Sequence, residues 1–592
     1  MKKINKNSLI KNITFSISAI VILIITYTYM KNTKTIYFWD NAGYWENSMR
    51  LSDLLKSEPK LWIEEILSSI LFLDHTYLPA IIPTIGMSIF SKSRMTYTII
   101  NTIIYAIPVI YLFLDIENKL LKNNDTKSKI ILNILIVLMS APLLLSLNFE
   151  GYVDIGGLII VLLTIKLYFF ELEDKKSKKY ILKLIFIGIL LITSFFFRRW
   201  YIYWIISFLV ACIVYDVVKI IKTEKEKTKI ELIEFLQKYL IIGISILSIA
   251  LLTIALYYFK FRNNNIKDFY LYKLLFYNYS YAYTAYQRGI IYEILNFLNH
   301  IGLINIIIAT ITIIYLNIRK EKNKTENKIV NILFMQMIIC FILFEKVQTH
   351  EVHHLLLYLP GIAIINTIGI KNLLEDKPQI AKTLIVIFMV NIILLLPFFN
   401  ECKPIIKLKN YGLLIDFDFK PAVREDIDEL QKIDEYIEEL SENSTKRIFI
   451  NSSSTTLNSS IITYFEKSLN INYNSKPYLI PICDVDKRDG VPLQIFYADI
   501  VVVTNPDQIH LDANEQKIVS YINKLFINNE GIAKNFEIIN KMKLDDMEVC
   551  FYRKNKEIYS SEKEQFYIKQ GFKLIPHEYC GPALRRVIYK KG

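Results

Sequence analysis

Asp40 stands in the run Tyr37-Phe38-Trp39-Asp40-Asn41-Ala42-Gly43-Tyr44-Trp45. A carboxylate set among aromatic rings can be partly desolvated and then serve as a general base or a metal ligand. The plainer reading is a loop carboxylate that caps the helix after it. Two more acids, Glu150 and Asp154, lie in Phe149-Glu150-Gly151-Tyr152-Val153-Asp154. Acids at that spacing could share a divalent cation or orient an acceptor, or Asp154 could simply cap a helix. Arg198 and Arg199 follow three phenylalanines in Phe195-Phe196-Phe197-Arg198-Arg199-Trp200-Tyr201. Guanidinium groups suit phosphate or pyrophosphate, and at a membrane surface they also snorkel to headgroups. His350, Glu351, His353 and His354 crowd one short segment of a chain that has only seven histidines. His350 and His353 could meet one phosphate or metal, with Glu351 and His354 beside them. The order His-Glu-Val-His-His is one residue short of the HExxH pattern, so a zinc peptidase is poorly supported. Asp74 and His75 either join such a site or cap the segment that follows.

What must position these groups is a membrane. The chain has 592 residues, 53% of them hydrophobic, and its mean hydropathy is +0.30. Eleven apolar runs are long enough to cross a bilayer, at about 9–30, 96–116, 129–147, 154–171, 180–197, 201–219, 238–259, 300–318, 328–345, 355–370 and 380–399. The first begins beyond Lys2, Lys3 and Lys6 and has no small-residue cleavage site after it, so it reads as an uncleaved span with a cytoplasmic N-terminus. The even-numbered spans then return inward. Lys119/Lys122/Lys127, Lys175/Lys176/Lys178/Lys179, Lys222/Lys225/Lys227/Lys229, Arg319/Lys320/Lys322/Lys324 and Lys371/Lys377 all fall on the cytoplasmic side, as orientation by positive charge requires. The short outer loops hold only Arg198, Arg199 and Lys346. Asp40, Glu150, Asp154, both arginines and the histidine cluster therefore gather on the outer face. The formal charge of +13 is spent on these loops, and nucleic acid is not a partner.

Two outer loops are long. The first contains an amphipathic stretch, 51–73, and an apolar one, 78–90, that is broken by Pro79 and Pro83 and reads as lying in the interface. The other is rich in tyrosine: Tyr270, Tyr272, Tyr277, Tyr279, Tyr281, Tyr283 and Tyr286. Beyond residue 400 the chain becomes polar. Runs 447–451, 499–504 and 548–553 read as strands, and 430–440 and 515–526 as helices, which makes a small α/β domain outside the membrane. No Gly-rich phosphate loop opens its helices. Of six cysteines, Cys212 and Cys340 fall in spans, while Cys402, Cys483, Cys550 and Cys580 show no metal spacing.

Together these features resemble the GT-C superfamily of polytopic glycosyltransferases, nearest to the protein O-mannosyltransferases and lipid A aminoarabinose transferases. The likeness rests on Phe38-Trp39-Asp40-Asn41-Ala42-Gly43-Tyr44, the second-loop acids, the segment from His350 to Pro360, and Ala498-Asp499-Ile500-Val501-Val502-Val503-Thr504-Asn505-Pro506. It departs from the mannosyltransferases in having Asp40-Asn41 where they usually carry Asp-Glu, and in lacking Asp-x-Asp in the second loop. The resemblance implies a bacterial plasma-membrane enzyme with a GT-C-like domain over 1–400 and an extracytoplasmic α/β domain over 401–592. It implies a polyprenyl-phosphate sugar as donor, Asp40 as catalytic base, and Arg198, Arg199, His350 and His353 on the donor phosphate. Glu150, Asp154, Glu351 and His354 would serve the acceptor or a divalent cation, and the acceptor stays open between protein, lipid and glycan. The rivals are a flippase for lipid-linked saccharides and an O-antigen-type polymerase or ligase. Transporters place ionisable groups along a path at mid-membrane, and here the mid-span residues are overwhelmingly apolar.

Overall fold

The computed structural model describes the chain apart from residues 1–5, 123, 173–176, 223–224, 277–282, 319–323, 400–401, 418, 474, 481, 483, 491, 560, 562, 564–565, 567–571, 577–586 and 592. Tyr277, Tyr279, Tyr281, Lys175, Lys176, Arg319, Lys320, Lys322, Cys483 and Cys580 lie outside the described residues. The chain divides into two units, a helical one and a mixed α/β one. The helical unit holds Met1–Asn32, Tyr44–Asn265 and Arg288–Pro421; the other holds Thr33–Gly43, Ile266–Gln287 and Ala422–Gly592. The α/β unit thus recruits two segments that lie between membrane helices in the chain, one of which carries Asp40.

In the helical unit, eight helices among the described residues are long and apolar enough to cross a membrane, which makes this a multi-pass membrane protein. They are Ser8–Asn32, Arg94–Leu120, Thr126–Phe149, Lys178–Phe197, Tyr201–Ile221, Thr228–Phe261, Ile290–Ile318 and Thr325–Glu345. The other three expected spans are also helical, but shorter or interrupted: Ile155–Lys166 with a π-turn over Leu167–Glu171, Leu359–Asp376, and Pro378–Ile393. Leu359–Asp376 is less apolar than the eight, carrying Lys371, Glu375 and Asp376, yet it forms the core of the unit. Every residue from Leu359 to Leu373 is buried. Its polar groups are paired internally: Lys371 and Asn372 meet the two carboxylate oxygens of Glu326 at 2.5 and 2.7 Å. A helix buried all round needs such pairing rather than a polar face. At the other extreme, only 17% of the apolar window is buried in Ser8–Asn32 and in Thr228–Phe261, against 67% in Thr126–Phe149. Side-chain caps start several spans, with Ser93 accepting from the Thr96 N–H, Asp125 from Ser128 and Ser177 from Tyr180.

Gly157 marks a tight approach close to Asp154. A Cβ there would collide with the Tyr201 ring and lie 2.7 Å from its hydroxyl oxygen. Close helix contact over small residues is how membrane helices gain packing without a hydrophobic drive. Gly157→Ala is expected to lower stability by about 1–3 kcal/mol through overpacking, read as an earlier thermal unfolding midpoint in detergent. No change in midpoint would mean that the ring moves aside freely.

The α/β unit is built on a five-stranded sheet. Its strands are β1 (Ile448–Asn451), β2 (Leu479–Ile480), β3 (Ile500–Asn505), β4 (Phe536–Leu544) and β5 (Met547–Lys554), in the order β2-β1-β3-β5-β4. The first three run parallel, and β5 and β4 add an antiparallel hairpin. Strands β1 and β3 read as continuous apolar runs because helices cover both faces. Phe449, Val501 and Val503 pack with Ile518, Ile522 and Phe526 of helix Lys517–Ile527. On the opposite face helix Ile427–Leu440 covers the sheet, with Tyr436 edge-on to Phe551 at 4.9 Å. The expected strands and helices are therefore present, and β4 and helix Ser459–Ser468 join them. Strand β4 escapes a simple reading because its outward residues are polar and it forms the sheet edge.

Candidate functional site

The polar residues of the α/β unit collect where parallel strands end. Ser453 follows β1, Asp484 follows β2, and Gln508 and His510 follow β3, all at the carboxyl ends of the strands. Ligands in α/β sheets bind at such ends. Gln516 organises the cluster: its Oε1 accepts from the backbone N–H groups of His510 and Leu511 at 2.8 Å each. Its amide donates to the Asp484 carbonyl at 2.6 Å and to Ser453 Oγ at 3.2 Å. His510 Nδ1 lies 3.1 Å from the Ser453 carbonyl, which can only accept. Gln516 Nε2, which can only donate, lies equally close to Nδ1 at 3.1 Å, so this nitrogen sits between a donor and an acceptor. Ser453 is fully buried and donates to Asp484 at 2.8 Å, so serine stands between the acid and the imidazole. That order is not a hydrolase triad, in which histidine stands between.

Asp40 belongs to this unit. It is half-buried in the first turn of helix Trp39–Ser57, where the helix end favours negative charge. Trp39 before it has φ +47°, a region a bulky residue rarely adopts. Its N–H donates to Ser460 Oγ at 2.9 Å, and its ring lies 4.6 Å from that of His510. Backbone strain held in place by such contacts is a mark of functional positions. Tyr286 approaches the same imidazole at 6.3 Å. Burial pushes its hydroxyl up to about 12; the Arg488 charge opposes this, and Asp484, Asp489 and Asp40 add to it. Tyr286 thus feels both Asp40 and Arg488. Asp489 orients that arginine, taking Nε at 2.8 Å and Nη2 at 3.0 Å. Asp489 is itself fixed by the N–H groups of Asp484 and Val485. The result is a carboxylate, a braced guanidinium, an imidazole and two flat rings.

The helical unit brings other expected residues together in a different role. Asp154 Oδ1 accepts from Arg198 Nε at 2.5 Å and from Trp200 Nε1 at 3.2 Å. Arg198 also donates to Tyr44 Oη and to His75 Nδ1, the latter at 3.1 Å. Arg199 donates to the carbonyls of Ile70 and Leu73 at 2.7 and 3.0 Å, capping helix Pro59–Phe72, and lies over Phe195. Both arginines are buried and bound to protein groups. Asp154 is wholly buried, whereas Glu150 keeps accessible surface. His353 stacks on Tyr152 at 4.8 Å and lies 3.9 Å from the His354 ring. His354 Nδ1 accepts the Glu351 N–H at 3.0 Å, and burial holds it well below the usual histidine range, hence neutral. His350 is fully buried between Glu293 and Tyr358.

Glu150 is raised to about 7 by the protein packed around it and then by the Glu351 charge. A raised carboxyl favours the protonated fold. Its contribution is complete below pH 4.5 and is lost as pH rises through about 7. The thermal midpoint should therefore fall on going from acid to neutral pH, and fall less in Glu150→Gln. Identical pH profiles would remove this group from the balance.

Sequence reasoning passed over His510, Arg488 and Glu293. Arg488 lies in the charged run Asp484-Val485-Asp486-Lys487-Arg488-Asp489, a visible signal, whereas only the topology carries His510 to Trp39. No protein-family model matches the chain, and no curated protein matches it.

Proposed function

We propose that this chain is a membrane glycosyltransferase that moves a sugar from a polyprenyl-phosphate donor to an acceptor on the outer face of a bacterial plasma membrane. In this reading it is GT-C-like, with eleven spans, a cytoplasmic N-terminus and an extracytoplasmic α/β unit. The observation that carries the reading is the half-buried Asp40 behind a strained Trp39, with Tyr286 sensing both Asp40 and Arg488. Flat rings beside carboxylates suit a pyranose, whose C–H face packs on aromatics while its hydroxyls bond to acids. Asp40 takes the proton of the acceptor hydroxyl as its oxygen bonds to the anomeric carbon. The bond from that carbon to the phosphate oxygen breaks, and polyprenyl phosphate leaves with the electron pair. Displacement in one step inverts the anomeric configuration. Arg488, rather than the buried Arg198 and Arg199, offsets the charge on the departing phosphate.

The test uses membranes from cells expressing the full chain and a panel of radiolabelled polyprenyl-phosphate sugars. Transfer from one donor, absent in control membranes, is the expected result. Failure with every donor, joined to movement of lipid-linked sugar across sealed vesicles, would replace this reading with the flippase.

A further inference from the structure

Glu293, Glu345 and His350 come from three separate places: the start of span Ile290–Ile318, the end of span Thr325–Glu345, and the segment after it. One ligand-capable atom from each lies within 4.8 Å of the others. Small side-chain adjustments would bring them onto one ion at about 2.0–2.2 Å. Glu293 and His350 are fully buried. Carboxyl oxygens of Glu293 and Glu345 lie within 4.8 Å of each other, so a proton or a cation between them relieves the repulsion of two acids.

The surroundings of His350 favour the cation. Its Nδ1 lies 2.9 Å from Glu293 Oε2, and its Nε2 lies 2.6 Å from Tyr358 Oη. Without a metal, a proton on Nδ1 makes the contact to Glu293; an ion in its place would take the Nδ1 lone pair and leave Nε2–H donating to the tyrosine oxygen. Metal-binding histidines are held in this way by a partner on their other nitrogen. The ring is clamped further by Phe344, stacked at 4.2 Å, and by Phe341 and Phe297 at 5.6 and 5.5 Å. Glu293 is fixed as well, since its Oε1 accepts the backbone N–H of His350 at 2.7 Å. Asn296 donates to the His350 carbonyl at 2.5 Å. Orientation of the imidazole and of one carboxylate is thus provided before any ion arrives.

We propose that Glu293, Glu345 and His350 form a binding site for a divalent zinc ion that ties the ends of two spans to the segment that follows the second. Two carboxylates cancel the ion's charge, and an imidazole ligand selects a transition dication over magnesium or calcium. Three protein ligands leave the fourth tetrahedral position to water. The proposal does not depend on the sugar-transfer reading and uses neither Asp40 nor Arg488; it takes His350, which the resemblance placed on the donor phosphate, as a metal ligand instead.

The test is metal analysis of the purified full-length protein in detergent, followed by titration of the chelator-stripped protein with zinc, manganese, magnesium and calcium. About one zinc per chain is expected, with zinc raising the thermal midpoint and magnesium and calcium leaving it unchanged. Glu345→Gln is the decisive variant, because a glutamine amide can still donate to Glu293 and preserve the contact that a shared proton would make. It should fold and lose zinc. Tyr358→Phe keeps all three ligands and should weaken zinc by about 10–100-fold. Stripped wild type that takes up no zinc would overturn the site in favour of a shared proton. So would zinc retained equally by Glu345→Gln and wild type.

Discussion

Asp40→Asn is expected to lower sugar transfer by about 10²–10⁴-fold, the usual worth of a positioned general base. Asparagine keeps the shape of the side chain but cannot take the proton of the attacking hydroxyl. The loss should fall on kcat with KM nearly unchanged, since the aromatic rings and Arg488 that would hold the donor remain. The assay compares wild type and variant at matched membrane abundance, with the donor that wild type uses. Transfer within a factor of about two of wild type would remove Asp40 from the chemistry, because loss of a true base costs far more. It would leave Asp40 as the acidic residue of a helix start, and an arginine-based polymerase would become the better reading.

Lys476→Ala is expected to cost about 3–5 kcal/mol, since breaking a buried ion pair strands the other charge. Lys476 lies 2.5 Å from Asp434 in the α/β unit, with both side chains nearly inaccessible at 4% and 3%, and Glu466 at 3.7 Å. Burial pushes Asp434 up to about 6 even against the pull of the lysine. Without the lysine, the acid would take a proton at still higher pH, so the variant should recover part of its loss as pH falls. Hydrogen exchange of the β1 and β3 amides in the full chain reads the effect. A double replacement, Asp434→Leu with Lys476→Met, should regain most of the stability, because an apolar pair needs no compensation. Exchange unchanged in Lys476→Ala would mean that water reaches Asp434.

Strands β1 and β3 were legible as apolar runs because parallel strands buried on both faces carry no polar alternation. Helix Ile427–Leu440 was legible from its periodicity. Asp40 stood out through its aromatic neighbours and its place after the first span. The partners of Arg198 and Arg199 were not legible. An arginine in an outer loop asks for an anion, and nothing local shows that Asp154 and the carbonyls of Ile70 and Leu73 supply the partners. The distance along the chain from Arg199 to those carbonyls is what hides the pairing. The same holds for His350, whose acid partner Glu293 opens a different span. A charge is visible in a sequence, whereas the group that neutralises it is visible only once the chain has folded. The recruitment of Thr33–Gly43 and Ile266–Gln287 into the α/β unit was equally hidden, since both segments are short and flanked by membrane helices.

The uneven burial of the spans sets how this chain can diverge. Helices Ser8–Asn32 and Thr228–Phe261 bury little of their apolar surface within the protein, so lipid is their main neighbour. Lipid asks for apolarity and length but not for shape, and isoleucine, leucine, valine and phenylalanine are nearly interchangeable there. Thr126–Phe149 and Leu359–Asp376 answer instead to close packing, where one methylene is felt. Descendants of this sequence should therefore drift quickly along the first pair and slowly along the second. The two peripheral helices would become unrecognisable while the interior still recorded the ancestry.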